Sequence, residues 1–244
     1  SSGAGDTRID GLKTPLLRFP VAGSGDAALE ALQADALEVS IAGSGNVRGE
    51  LVSATEGFYT TPLFHIERAA TRYFGLTMYS SHLNGLTLRD GIPHMWIATR
   101  ADNRPIDPGK LDNLAAGRIP RGSSPFDTLI RESDEEAGIG GELARTANGA
   151  GAVRCKREAE EGLHNEIIFV HDLMLPENFE PANRDGEVAG FACLPIGEVM
   201  ALLNSTPELF TVDAAVVALD CLIRRGHIGS DREDYLEIIH AMRP

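Results

Sequence analysis

The sequence predicts an α/β fold on three observations. From residue 75 onward, short segments rich in β-branched and aromatic residues alternate with turn signals, one acidic and well-capped helix interrupts them, and three helical segments close the chain. The less regular stretch before them predicts a small α+β domain. The expected division is 1–74 for an accessory N-terminal region and 75–244 for the main domain. At 244 residues the chain can bury a sizeable core, as one large domain or as a small one plus a medium one.

Taken in order, residues 1–10 are polar and expected to be mobile. A strand is predicted over 16–21, a helix over 26–34, strands over 36–41 and 49–53, and a helix over 62–73 that leads into the main domain. Gly23-Ser24-Gly25 and Gly43-Ser44-Gly45 read as loops, because neither is followed by the Gly-Lys-Ser/Thr of a phosphate cradle. Their likeness is too brief to define a repeat. In the main domain, strands are predicted over 77–80, 86–89, 94–99, 153–156, 166–173 and 188–194, and later helices near 196–204, 212–225 and 232–242.

The acidic helix follows from local signals. Ser124 is a good N-cap, Pro125 suits the first helical position, Asp127 faces the positive helix end, and Gly138 is a natural stop. Phe126, Leu129, Ile130 and Ala137 gather on one side, while Glu132, Glu135 and Glu136 stack on another by their i, i+3, i+4 spacing. Three carboxylates this close repel one another, so without a counter-ion at least one holds its proton more tightly than usual. A bound Mg²⁺ or Mn²⁺ removes that penalty, since hard oxygen ligands suit those ions. The same face also suits plain solvation, with an Arg131 to Glu135 pair worth about 0.2–0.5 kcal/mol.

Spacing around the helix carries further information. Gly117 precedes Arg131-Glu132-Ser133-Asp134-Glu135-Glu136-Ala137-Gly138-Ile139 by fourteen positions. The stretch resembles the Nudix box, G-x5-E-x7-R-E-U-x-E-E-x-G-U, with U a bulky apolar residue. It departs at Ser123, in place of the first glutamate, and at Ser133, in the first U position; Arg118 stands where many members have a second glycine. The resemblance implies an α/β/α sandwich with a mixed sheet. It implies metal ligation by Glu132, Glu135 and Glu136, with Glu132 also orienting or deprotonating water, and a loop-and-helix holding role for Arg131. Gly117, Arg118, Arg121 and Gly122 would position the loop or the substrate.

The likeness extends over roughly 73–244, through Tyr73-Phe74-Gly75-Leu76, Ser81-His82-Leu83-Asn84-Gly85, Met95-Trp96-Ile97-Ala98, Pro108-Gly109-Lys110-Leu111-Asp112-Asn113, Asp185-Gly186-Glu187-Val188 and the stretch from Leu222 to Ile228. Together these resemble a Nudix branch with an additional N-terminal domain, related or fused in some eukaryotes to thiamine pyrophosphokinase. That branch implies a small-molecule diphosphate substrate, such as a thiamine diphosphate-like compound. It also makes Glu187 an extra metal contact, with Asp185 less suited to that role. An ordinary Asp-Gly turn is the simpler reading of the same residues.

Composition narrows the alternatives. A formal charge of −14 argues against a general nucleic-acid binder, so an anionic substrate must be received locally, by metal ions or by bases such as Arg118, Arg121, Arg154, Lys156 and Arg157. No apolar run is long enough to cross a bilayer, and the opening residues lack a secretory core, so a cytoplasmic location is expected. Cys155, Cys193 and Cys221 are odd in number and lack metal spacing, as do His82, His94, His164 and His171. No serine has a nucleophile-elbow context. Metal-assisted hydrolysis of a diphosphate is the expected activity. A non-catalytic Nudix-fold binding module and a diphosphate isomerase are the alternatives, and a homodimer is compatible with each.

Overall fold

A computed structural model describes residues 7–10, 13–14, 17–22, 27–30, 33–34, 37–42, 51–55, 57–67, 70–159 and 162–244. The chain divides into two compact units. The first comprises Ser1–Met78, Pro120–Gly122 and Lys156–Glu166, and the second Tyr79–Ile119, Ser123–Cys155 and Ile167–Pro244.

In the first unit, β1 (Thr7–Asp10), β2 (Lys13–Thr14) and β3 (Leu17–Ala22) pair in parallel with β4 (Ala27–Glu30), β5 (Gln33–Ala34) and β6 (Leu37–Ala42). Thr7 faces Ala27, Lys13 faces Gln33 and Leu17 faces Leu37, a constant offset of twenty residues. This corrects three expectations. Where residues of the helix expected over 26–34 are described, β4 and β5 stand instead, because long-range pairing overrides the high helix propensity of Ala27, Ala28 and Leu29. Residues 7–10, expected to be mobile, form a strand. The Gly-Ser-Gly recurrence at 23–25 and 43–45, which lies outside the described residues, has the same twenty-residue spacing and so belongs to an internal repeat.

A fourth correction concerns the helix over 62–73. Phe64–Glu67 is instead strand β8, antiparallel to β7 (Leu51–Ala54), and turns occupy 71–75. The Leu63 N–H donates to the Ala54 carbonyl at 2.9 Å, which starts this pairing. No α-helix occurs among the described residues before residue 75, so the helical half of the expected α+β region is not found there.

Among the described residues the main sheet has seven strands in the order β11-β10-β9-β14-β13, with β12 beside β9 and β15 beside β10. Its strands are β9 (Met78–Arg89), β10 (Ile92–Arg100), β11 (Leu111–Asp112), β12 (Ala115–Arg118), β13 (Asn148–Ala159), β14 (Gly162–Met174) and β15 (Val188–Pro195). Helix α1 (Pro125–Ala137) and a short α2 (Gly141–Ala144) follow β12, while α3 (Ile196–Ser205), α4 (Val212–Arg224) and α5 (Tyr235–Met242) end the chain.

Alternation along the strands places helices on both faces. Leu83 and Trp96 share a core with Leu129 and Ala137 of α1, whereas Leu86, Met95 and Ile97 pack with Ile196, Val199, Ala218 and Leu222 of α3 and α4. The expected α/β class is thus observed, as three layers.

Strand β9 was expected as two pieces, with the polar Ser81-to-Gly85 run between them. The run continues the strand because its buried polar groups find partners. Ser81 Oγ lies 3.3 Å from His171 Nδ1, His82 Nδ1 lies 2.8 Å from Asn113 Oδ1, and Asn84 Nδ2 donates to Asp172 Oδ1 at 3.0 Å. Asp172 also accepts from Arg224 at 2.7 Å and from Arg225 at 3.3 Å, which ties the sheet to the end of α4.

Candidate active site

Helix α1 begins and ends where its sequence predicts. Ser124 Oγ accepts from the Asp127 N–H at 3.0 Å, and Pro125 stands in the first turn. Gly138 closes the helix in the left-handed region at φ 67°, donating to the Asp134 carbonyl at 3.1 Å. A Cβ on Gly138 would come within 2.9 Å of the Ala182 carbonyl oxygen, because the loop before β15 lies against this helix end. That loop is tied by Ala182 N–H to Ala137 O at 3.0 Å and by Arg184 N–H to Glu135 O at 2.9 Å. Arg184 also pairs with Asp134. The core face of α1 buries Leu129, Ala137 and Ser133, and the Ser133 hydroxyl has no hydrogen-bond partner.

The acidic face meets strand β12. The Ala116 N–H donates to Glu136 Oε2 at 2.7 Å. Gly117 lies so close to Glu132 that a Cβ would stand 1.9 Å from its Oε1. Arg131 reaches Glu132 at 2.6 Å and Glu135 at 2.8 Å. The resemblance predicts that Arg131 holds loop and helix together; its observed carboxylate partners are both on its own helix.

Burial pushes the Glu132 carboxyl up to about 7, with the negative charges of Glu135 and Glu187 adding to the rise and Arg131 opposing it. Glu136 is raised well above the ordinary carboxylate range, again chiefly by burial, with Asp112, Glu132 and Glu187 contributing.

The carboxylates that gather as potential ligands are not the helix triad. Glu136, Asp185 and Glu187 come together, one ligand atom of each lying within 4.8 Å of the others. Asp185, expected to be less suited than Glu187, therefore stands beside it. The Asp-Gly turn explains why: Asn183 Oδ1 accepts from the Asp185 and Gly186 N–H groups at 3.2 and 3.3 Å, and Asp185 Oδ1 accepts from the Glu187 N–H at 2.8 Å. The turn reading and the acidic-site reading of this element hold together. Asp112, buried and paired with Arg100 at 2.8 Å, is a further acidic neighbour that sequence reasoning quoted but gave no role. Glu187 pairs with Arg104.

The remaining predicted positions are less central. Arg118 ends β12, half-buried and opposite Ser80, so it belongs to a strand rather than a glycine-rich loop. Arg121 and Gly122 form an exposed turn, with Gly122 at φ 83°, in a segment that clusters with the first unit.

Carboxylate oxygens are the hard donors that Mg²⁺ and Mn²⁺ take. Glu132 and Glu136, which burial biases toward the protonated form, are groups a nearby cation would return to the ionised form. The residues present therefore fit such an ion.

No family model matches the chain. It is similar to Nudix hydrolase 20, chloroplastic, of Arabidopsis thaliana at 36% identity over 81% of this chain and 52% of that protein. Nudix hydrolase 24, chloroplastic, of the same plant matches at 37% over 81% of this chain and 54% of that protein. These matches support the Nudix hydrolase superfamily. The chain spans about half the length of these curated relatives. A solved MutT/nudix family protein from Enterococcus faecalis aligns at 11% identity and a TM-score of 0.48, over 67% of each chain. Among the described residues, no helix is long and apolar enough to cross a membrane.

Proposed function

We propose that this protein hydrolyses a diphosphate linkage in a small organic or nucleoside diphosphate, using Mg²⁺ or Mn²⁺. The gathering of Glu136, Asp185 and Glu187 beside Glu132 carries this reading. When bound, a divalent cation would neutralise phosphate oxygens and lower the pKa of an attacking water.

The chain's own groups supply the rest. Glu136, fixed by the Ala116 N–H, and the turn carboxylates Asp185 and Glu187 would hold the cation. Glu132, seated over Gly117, takes the proton of the attacking water at a carboxylate oxygen. Glu135 completes the acidic face, and Arg118, at the end of β12, is the base we assign to receiving the substrate's phosphates. The branch resemblance favours a thiamine diphosphate-like substrate, giving a monophosphate and inorganic phosphate. Three free cysteines suit a reducing compartment such as the cytoplasm.

The test is phosphate release from thiamine diphosphates, nucleotide sugars, dinucleoside polyphosphates and nucleoside triphosphates. Turnover should require Mg²⁺ or Mn²⁺ and vanish in Glu136→Gln. A second reading, a non-catalytic binding module, draws support from Ser123 and from the engagement of Glu132 and Glu135 by Arg131. Tight ligand binding without turnover across the panel would favour it.

A further inference from the structure

We infer that Arg131 is a built-in counter-cation for Glu132 and Glu135, which a divalent ion must displace before those two carboxylates can serve it. The inference rests on the reading of the acidic face as a cation site, and adds a competition within it. One guanidinium spans both carboxylates, at 2.6 Å and 2.8 Å. The planar fork of arginine suits such bridging: Glu135 lies one helical turn beyond Arg131, and Glu132 is its chain neighbour.

The two sides of this contact differ in freedom. The Arg131 side chain is 44% exposed, so it can swing into solvent without opening the core; the Glu132 side chain is 12% exposed and rests on β12 over Gly117. The partner that can leave is the arginine. The acidic face is thereby split. Glu136 takes a backbone N–H from β12 and sits with Asp185 and with Glu187, which is paired with Arg104, whereas Glu132 and Glu135 are both held by Arg131. A first ion finds the former set without disturbing Arg131, and any use of the latter set requires Arg131 to move.

A purely structural arginine has the opposite signature. If Arg131 served only to hold the helix, its removal would leave Glu132 and Glu135 repelling each other and loosen the site. If it competes with the ion, its removal tightens the site.

The experiment is Mn²⁺ titration of the full chain by calorimetry and by electron paramagnetic resonance, at a pH of about 8.5 so that carboxyls with raised pKa values are ionised. For binding beyond the first ion, Arg131→Gln should take up Mn²⁺ on the order of three- to tenfold more tightly than the wild type, the scale expected for releasing two partly exposed ion pairs. Arg131→Lys should fall between, because an ammonium group cannot span both carboxylates as a guanidinium does. Unchanged or weaker binding of the later Mn²⁺ in Arg131→Gln, at a wild-type melting temperature, overturns the competition. Should Arg131→Gln fail to fold, Arg131→Lys decides alone, by tightening or not. A wild-type protein that binds no Mn²⁺ overturns the cation-site reading itself, whereas Mn²⁺ binding with no gain in either variant sinks only the competition.

Discussion

Gly117 and Glu132 meet with no space between them: a Cβ on the glycine would stand 1.9 Å from the Oε1 atom of the glutamate and 2.1 Å from its Cδ. Strand β12 and helix α1 are thus packed at a distance that only glycine allows, and the atoms that would have to move belong to the end of a flexible side chain. Gly117→Ala should therefore displace the carboxylate rather than unfold the protein. Turnover is expected to fall about 100-fold or more, the scale of a displaced reacting group, while stability falls by about 1–3 kcal/mol. Steady-state kinetics alongside denaturant unfolding measures both. Wild-type turnover in the variant would show that the close approach does not matter.

Ser133 fills a buried slot in the core face of α1 with a hydroxyl that has no hydrogen-bond partner. Ser133→Ala removes that unsatisfied group and improves helix propensity, so a gain of about 1 kcal/mol is expected. Denaturant midpoints at constant m-value test it. A clear loss of stability would mean that the hydroxyl is satisfied after all.

Glu132 makes metal-free stability depend on pH. Its folded pKa of about 7 lies above the ordinary carboxylate value, so the folded state binds the proton more tightly than the unfolded chain. Its contribution is greatest at low pH, declines as pH rises from the ordinary carboxylate range to about 7, and is then flat. In chelator, the melting-temperature advantage of Glu132→Gln over wild type should therefore grow through this window. Saturating Mg²⁺ should reduce the effect. A difference that stays constant with pH in chelator would remove the basis for this linkage.

Asp172 works in the other direction. Burial pushes its carboxyl up, but hydrogen bonds from Arg224 and Asn84 and the nearby arginine charges outweigh burial and hold it below the ordinary range. Its stabilisation is present above the unfolded value and lost as pH falls through the folded one. Asp172→Ala removes one of the two carboxylate partners of Arg224, which keeps Asp220, together with the carboxylate partner of Arg225 and of the Asn84 amide, and should cost about 3 kcal/mol at neutral pH. A variant that unfolds at the wild-type denaturant midpoint would show that the network contributes little.

What the sequence by itself determined is what neighbouring residues decide. Ser124, Pro125 and Gly138 satisfy or terminate the backbone of α1 within a turn of themselves, so both ends of that helix are legible, as is the common face of Glu132, Glu135 and Glu136. Strands β10, β14 and β15 are legible from their β-branched and aromatic content, and α3 and α4 from their apolar spacing.

Only the tertiary structure decided which distant groups meet. Residues 27–30 and 33–34 carry helical composition but follow their parallel partners twenty positions earlier, because inter-strand hydrogen bonds outweigh a propensity of a few tenths of a kcal/mol per residue. The polar middle of β9 stays extended because Asn113, His171 and Asp172 arrive from other strands and segments to satisfy it. Asp185 and Asp112 join the acidic site for the same reason: the sequence marks the Asp185-Gly186 turn and the stretch around Asp112, but proximity to Glu136 arises only when a turn and a strand fold against α1. Arg131 is legible as part of a motif, but its grip on Glu132 and Glu135 depends on side-chain geometry that spacing permits without dictating.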